Sequence, residues 1–178
     1  MTLSTRRPLR LLSALLASVA LAVVAPAADA APAAPVNYAL TGVADASSTF
    51  PGYSAAKVND GDASTTLGGN YSWCNNALVD YPPINPQWVH IDLKQVRKAS
   101  RIVVVTTEGY VLRDFDVQVQ IPGRGWFETV QTFNYNTATS VTVTGPPTDI
   151  IGVRVLAKVG PSHQPGHTRV NEIQVFDV

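Results

Sequence analysis

The first chemistry this chain offers is a set of oxygen ligands. Asp60-Gly61-Asp62-x-x-Thr65 places carboxylates, a hydroxyl and a flexible glycine within one turn's reach of each other. Calcium takes about six to eight oxygens from carboxylates, hydroxyls and backbone carbonyls. A tight turn at Gly61 would let the Asp60 carboxylate and the Asp62 carbonyl converge, with Thr65 near enough to add oxygen. The same residues also suit a plain Asp-Gly turn closed by a side-chain-to-backbone bond. Spacing alone does not choose between the two.

Other reactive residues are sparse. Cys74 reads as a small apolar residue, the alternatives being a nucleophile or an intermolecular link; it is the one cysteine, so no internal disulfide can brace the fold. His163 and His167 have the four-residue spacing of helical zinc ligands, but Pro165 and Gly166 between them deny the helix. A glycosidase needs two opposed carboxylates, and Glu108 with Asp80 is the pair left once the turn and the strands have used the other acids. There is no Gly-x-Ser-x-Gly, no His-Glu-x-x-His and no phosphate loop, so catalysis is not expected.

The elements that must carry these residues are strands. Val89, Ile91 and Leu93 alternate with Trp88, His90 and Asp92, the pattern of a half-buried strand. Ile102 to Val105 is a β-branched run suited to burial on both faces. Phe115, Val117, Val119 and Ile121 alternate with polar residues, Pro122 to Gly125 breaks the run, and Trp126 to Phe133 resumes it as a hairpin. Ser140–Val143, Val153–Val159 and Glu172–Val178 complete the set. About eight short strands with turns between them predict an all-β fold, an antiparallel sandwich or barrel. Trp88 and Trp126 are expected in the core and His90 as a half-buried structural histidine. Gly68 to Pro86 is a long interruption rich in Gly, Asn, Pro and aromatics, and such stretches are usually functional.

Residues 1–30 are excluded from the fold. Arg6, Arg7 and Arg10 precede an apolar run over Leu11 to Val24, and Ala28-Asp29-Ala30 offers a cleavage pattern, the layout of a secretory signal peptide. Residues 31–43 read as a short leader and 44–178 as one domain, so the protein is expected to be secreted and extracellular. The mature chain is slightly acidic and has no basic patch, which argues against nucleic acid and against charge-driven membrane contact.

Ala46-Ser47-Ser48, then Ala55 to Thr65, Gln87 to Leu93, Leu112 to Val119, Gly125-Trp126 and Asn171 to Phe176 follow one another in the order of a known family. The chain resembles the discoidin, or coagulation-factor type C, domain, related to galactose-binding carbohydrate modules. It departs from that pattern at Lys94, where the family usually has glycine, and at Gly68 and Gly69, where sugar-binding members place basic and histidine residues. The resemblance implies a jelly-roll β-sandwich and a structural calcium held by the Lys57 carbonyl, Asp60, Asp62, Thr65 and Glu172. It implies a monomeric lectin-like module that binds carbohydrate on a polysaccharide or glycoconjugate, with adhesion to protein or lipid headgroups as the alternative. Ligands of the family sit among loops corresponding here to Gly68–Pro86, Glu108–Arg113 and Gly160–Arg169. Tyr71, Trp73 and Tyr110 are then candidate platforms for sugar C–H faces. Asn75, Glu108, Arg113, His163, His167 and Arg169 are candidates for hydrogen bonds to hydroxyls. For lipid contact the apolar candidates are Leu78, Val79 and Ile84.

Overall fold

The computed structural model describes residues 34–78, 81, 82 and 84–177; the expected signal peptide lies outside them. The strands are β1 (Val43–Ala46), β2 (Trp73–Cys74), β3 (Gln87–Val105), β4 (Asp114–Gln120), β5 (Phe127–Phe133), β6 (Ser140–Val159), β7 (Arg169–Val170) and β8 (Glu172–Phe176). Two short 3-10 turns, Tyr38–Thr41 and Ala55–Asn59, are the helical elements among the described residues. All pairings are antiparallel, in the order β1-β3-β6-β4-β5 with β8 also on β3, and β2 pairs β7 separately.

The layers are made by two long strands that turn a corner. The first part of β3 pairs with β1 and with the last part of β6, while Arg101–Val105 pairs with the first part of β6 and with β8. Between the parts the register jumps from Asp92↔Gly152 to Arg97↔Ile150, and from Ala99↔Thr148 to Arg101↔Thr144. The first jump loops out residues 93–96 of β3, and the second loops out residues 145–147 of β6, where Pro146 and Pro147 have no N–H to give a ladder. Lys94, in the first of these bulges, has φ 65°, a left-handed conformation that glycine adopts freely and lysine does not. Asp92 holds it there, accepting from the Lys94 N–H at 2.8 Å and from Nζ at 3.0 Å. The sequence reading that gave each of these long strands as two separate ones is corrected by these bulges, which bend a strand without ending it.

Alternation fills the core as read. Val89, Ile91 and Leu93 are buried with Phe115, Val117, Val119, Ile150, Val153, Val155, Ile173 and Val175, and Phe133 stacks on Phe115 at 4.7 Å. His90 is half-buried, its ring edge-on to Phe127, and burial lowers its pKa. Two expectations fail. The fold begins before residue 44, because Ala39 is fully buried and the Asn37 carboxamide accepts from the N–H groups of Ala39 (3.1 Å) and Val175 (3.0 Å). Trp126 is 61% exposed, since it falls just outside the last β4–β5 pair, Gln120↔Phe127.

Candidate functional site

The loop around Asp60 is built by short-range bonds. The Ser54 hydroxyl caps the Ala55–Asn59 turn, and the Asn59 carboxamide ties it to the carbonyls of Ala39 (2.9 Å) and Gly42 (3.1 Å). Asp60 Oδ1 accepts from the Asp62 N–H at 3.0 Å, and Asp62 Oδ1 from the Ser64 N–H at 2.9 Å. These are the side-chain-to-backbone turns that the sequence allowed. Gly61 at φ 88° lets the chain reverse between them. Asp60 Oδ2 pairs with Lys57 Nζ at 2.8 Å, and the bond raises the lysine pKa.

Glu172 does not fit a turn reading. It begins β8, is fully buried, and neither carboxylate oxygen has a hydrogen-bond partner. Burial pushes its pKa up to about 8, and the neighbouring carboxylates of Asp60 and Asp62 push the same way. The N–H groups of Gly61 and Asp60 lie close enough to favour the ionised form, yet neither closes a bond of good geometry. A buried, unpartnered carboxylate close to others is costly unless a proton or a cation neutralises it, and a cation can serve two carboxylates at once. The donor set therefore fits a hard divalent ion. Among the described residues no three His, Cys, Asp or Glu side chains converge. Asp60 and Glu172 would supply the carboxylates, with carbonyls and the Thr65 hydroxyl for the rest.

Thr65 connects this loop to the second feature. Its carbonyl accepts from the Glu108 N–H at 2.8 Å, and its hydroxyl leans toward Glu108 Oε2 at 3.4 Å. Asn171 reinforces the link, donating to the carbonyls of Ser64 and Thr66 and accepting from Thr107 Oγ1 at 2.7 Å. Glu108 sits at the corner of a turn closed by Tyr110 N–H to the Thr107 carbonyl, with Gly109 at φ 73°. The turn aims Glu108 outward, onto an open groove of about 680 Å³ lined also by Val111, Arg113, Tyr135, Thr137, Thr139, Ser162 and His163.

Tyr135 is the unusual member. Its φ is 54° and its side chain 79% exposed, so strained backbone thrusts an aromatic ring into solvent. Asp114 Oδ1 accepts its N–H at 2.7 Å, and Asn136 is pinned on both sides: its N–H to the Arg113 carbonyl, its carboxamide to the carbonyls of Leu112 and Ala138. Asp114 Oδ2 binds Arg113 through Nε (3.1 Å) and Nη2 (2.9 Å), and the guanidinium lies 5.6 Å over the Tyr135 ring. Burial alone would raise the Asp114 pKa; the Arg113 bond and the Tyr135 N–H outweigh it and hold it low. A second groove, about 410 Å³ at the opposite end of the β4–β5 hairpin, has a mainly aliphatic lining and no aromatic ring.

Of the candidates read from sequence, Glu108, Arg113 and His163 meet in the groove. Tyr110 stands behind them, edge-on to His163 and 4.9 Å from the Arg169 guanidinium. Trp73 is no platform: it is fully buried, its indole N–H given to the Ser48 carbonyl at 2.9 Å. Asn75 is likewise structural, fully buried and bonded to Gly166 and Thr168. Arg169 is 7% exposed, with one nitrogen on Gln164 and its face on Tyr110, so it supports the Gly160–Arg169 loop from within. His167 packs on Phe50 and lies 3.9 Å from Cys74 Sγ; burial, then Arg169, lowers its pKa. Cys74 is buried and its thiol pushed up to about 11, which leaves it protonated and inert. Tyr71 lies in the turn after Gly68, on the Lys57 side, away from the groove lining. The residues that sequence reasoning missed are Tyr135, Thr137, Thr139 and Ser162.

Residues 43–171 match the F5/8 type C domain. The chain belongs to that family. No curated protein matches it. Among solved structures, the lectin domain of lectinolysin, complexed with Lewis B antigen, is 22% identical with a TM-score of 0.65 over 80% of this chain and 97% of that one. The family 32 carbohydrate-binding module from C. perfringens NanJ, in complex with galactose, is 21% identical with a TM-score of 0.63, covering 80% and 98%. Chitosan-binding module 2 from the chitosanase/glucanase of Paenibacillus sp. IK-5, in complex with chitotriose, is 21% identical with a TM-score of 0.63, covering 79% and 100%. At these identities the likeness establishes the shared sandwich. The match spans nearly the whole of each of these modules.

Proposed function

We propose that this F5/8 type C domain is a secreted carbohydrate-binding module, stabilised by calcium, which holds its ligand in the groove between Glu108, Arg113, Tyr135 and His163. The observation that carries this reading is the Tyr135 ring, kept exposed by a strained turn beside polar groups that converge on the same groove. A sugar presents a C–H face to such a ring and hydroxyls to the surrounding forks and hydroxyl groups. Ligands named for the structural neighbours (Lewis B antigen, galactose, chitotriose) are all saccharides. Calcium would be held by Asp60 and Glu172 with the carbonyls of Lys57 and Asp62 and the Thr65 hydroxyl; bound there, it neutralises the two carboxylates. Its stabilisation follows RT ln(1 + [Ca]/Kd), about 2.7 kcal/mol at a hundredfold excess over Kd. Among the described residues Glu108 is the one carboxylate on the groove lining, and Asp80, its expected partner in a glycosidase pair, lies outside them. A glycan array probed with wild type and Tyr135→Ala tests the reading. Loss of signal in the folded variant supports it; an unchanged array overturns it.

Leu78 (84% exposed), Ile84 (85%) and Tyr81 (42%) favour a second reading, adhesion through an apolar loop tip. Sedimentation with neutral phosphatidylcholine vesicles, lost in Leu78→Ser/Ile84→Ser, would select it over the groove.

A further inference from the structure

The geometry points to a ligand class for the groove, an inference that rests on its being the sugar site: Glu108 selects sugars with a free, protonated amino group over their N-acetylated counterparts. Charge sets the preference. Among the described residues the groove is lined by one carboxylate, Glu108, and one guanidinium, Arg113, besides the imidazole of His163. Arg113 is already neutralised, since Asp114 takes two of its nitrogens at 2.9 and 3.1 Å. Arg169, which has no acidic partner among the described residues, is buried behind Tyr110 and turned to that ring and Gln164, so it does not line the groove. Glu108 has no such partner. Among the described residues its one side-chain bond is the weak 3.4 Å contact from Thr65 Oγ1, which leaves Oε1 with no partner there and Oε2 barely engaged.

An exposed carboxylate in a groove that also holds an aromatic platform, and whose guanidinium is already paired, is built to accept from an ammonium. The Thr107–Tyr110 turn fixes its direction, and the Glu108 N–H bond to Thr65 fixes its place. Acetylation removes the charge from the sugar nitrogen and adds a methyl that Glu108 cannot solvate. A charge-assisted hydrogen bond at a part-exposed site corresponds to about a tenfold preference, and salt should erode it.

The test is calorimetric titration with the β-1,4 trimers of glucosamine and of N-acetylglucosamine, in mildly acidic buffer that protonates the amine. Wild type should prefer the amine trimer about tenfold, and less as salt is added. Glu108→Gln, at an exposed turn, should fold normally and bring the two trimers to equal affinity, the amine trimer losing more than the acetylated one. Tyr135→Ala should weaken both trimers. Equal affinity of wild type for the two trimers, or a preference that persists in Glu108→Gln, overturns the inference while leaving a groove that binds sugar. If Tyr135→Ala changes neither, the groove reading itself falls.

Discussion

Two loops carry aromatic residues next to asparagines, and they do opposite things with them. In the long stretch from Gly68 to Pro86, Trp73 sits on a two-residue strand paired with Val170, is wholly buried, and spends its only polar atom on the Ser48 carbonyl. Gly69 packs so tightly on Gly52 that a Cβ there would collide with the Gly52 carbonyl, so the loop is fastened to the body. In the short turn after β5, Tyr135 is held in a left-handed conformation with its ring in solvent. The difference teaches that loop length and aromatic content do not identify a binding platform. What does is a polar neighbour, here Asp114, whose satisfied oxygens keep an otherwise unfavourable side chain on display.

That contrast can be broken most directly at Trp73. Trp73→Ala should destabilise by about 3–5 kcal/mol, through lost burial and a cavity, and leave sugar affinity within about twofold wherever the protein is folded. A variant that melts like wild type and no longer binds would reverse the roles of the two loops. The same opposition of satisfied and unsatisfied groups separates Asp114 from Glu172, whose folded pKa of about 8 exceeds its ordinary 4.5. A raised folded pKa means that the native state holds its proton more tightly, so the stability it confers is complete below about pH 4.5 and lost as pH rises through 8. In chelator, urea melts should therefore weaken by roughly 3–4 kcal/mol between those limits. Saturating calcium should abolish the decline, and Glu172→Gln should flatten it.

Binding effects come next. Tyr135→Ala should weaken sugar binding about tenfold or more, with stability changed by less than about 1 kcal/mol, because the ring touches little of the fold. The smallest effects sharpen the reason. Tyr135→Gly should weaken binding as much as Ala does yet raise the melting temperature, by relief of about 1 kcal/mol of backbone strain. Lys94→Gly should raise it by a similar or smaller amount, since it also forfeits a surface ion pair, and should leave binding untouched. Equal binding loss at both positions would show that strain, not the ring, matters.

Much of the fold was legible because burial follows alternation: Val89, Ile91 and Leu93 face inward as their spacing requires. The joined strands were not, since residues 93–96 and Gly145-Pro146-Pro147 look like breaks in a one-dimensional pattern and become bulges only when the opposite strand supplies the register. Of the groove, Glu108, Arg113 and His163 could be named, being polar residues in loops the resemblance marked. Tyr135 escaped, although Asn134-Tyr135-Asn136 carried a signal, for asparagine accompanies left-handed turns. Glu172 could be placed by resemblance, whereas its stripped carboxylate is a fact of three dimensions.

β3 and β6 run through both layers. A force or a local melting event that frees one sheet must therefore act on backbone that also builds the other. The halves of the shell have no seam along which they can part, and amide hydrogens in β3 on either side of Lys94 should exchange together, in a single opening of the whole domain.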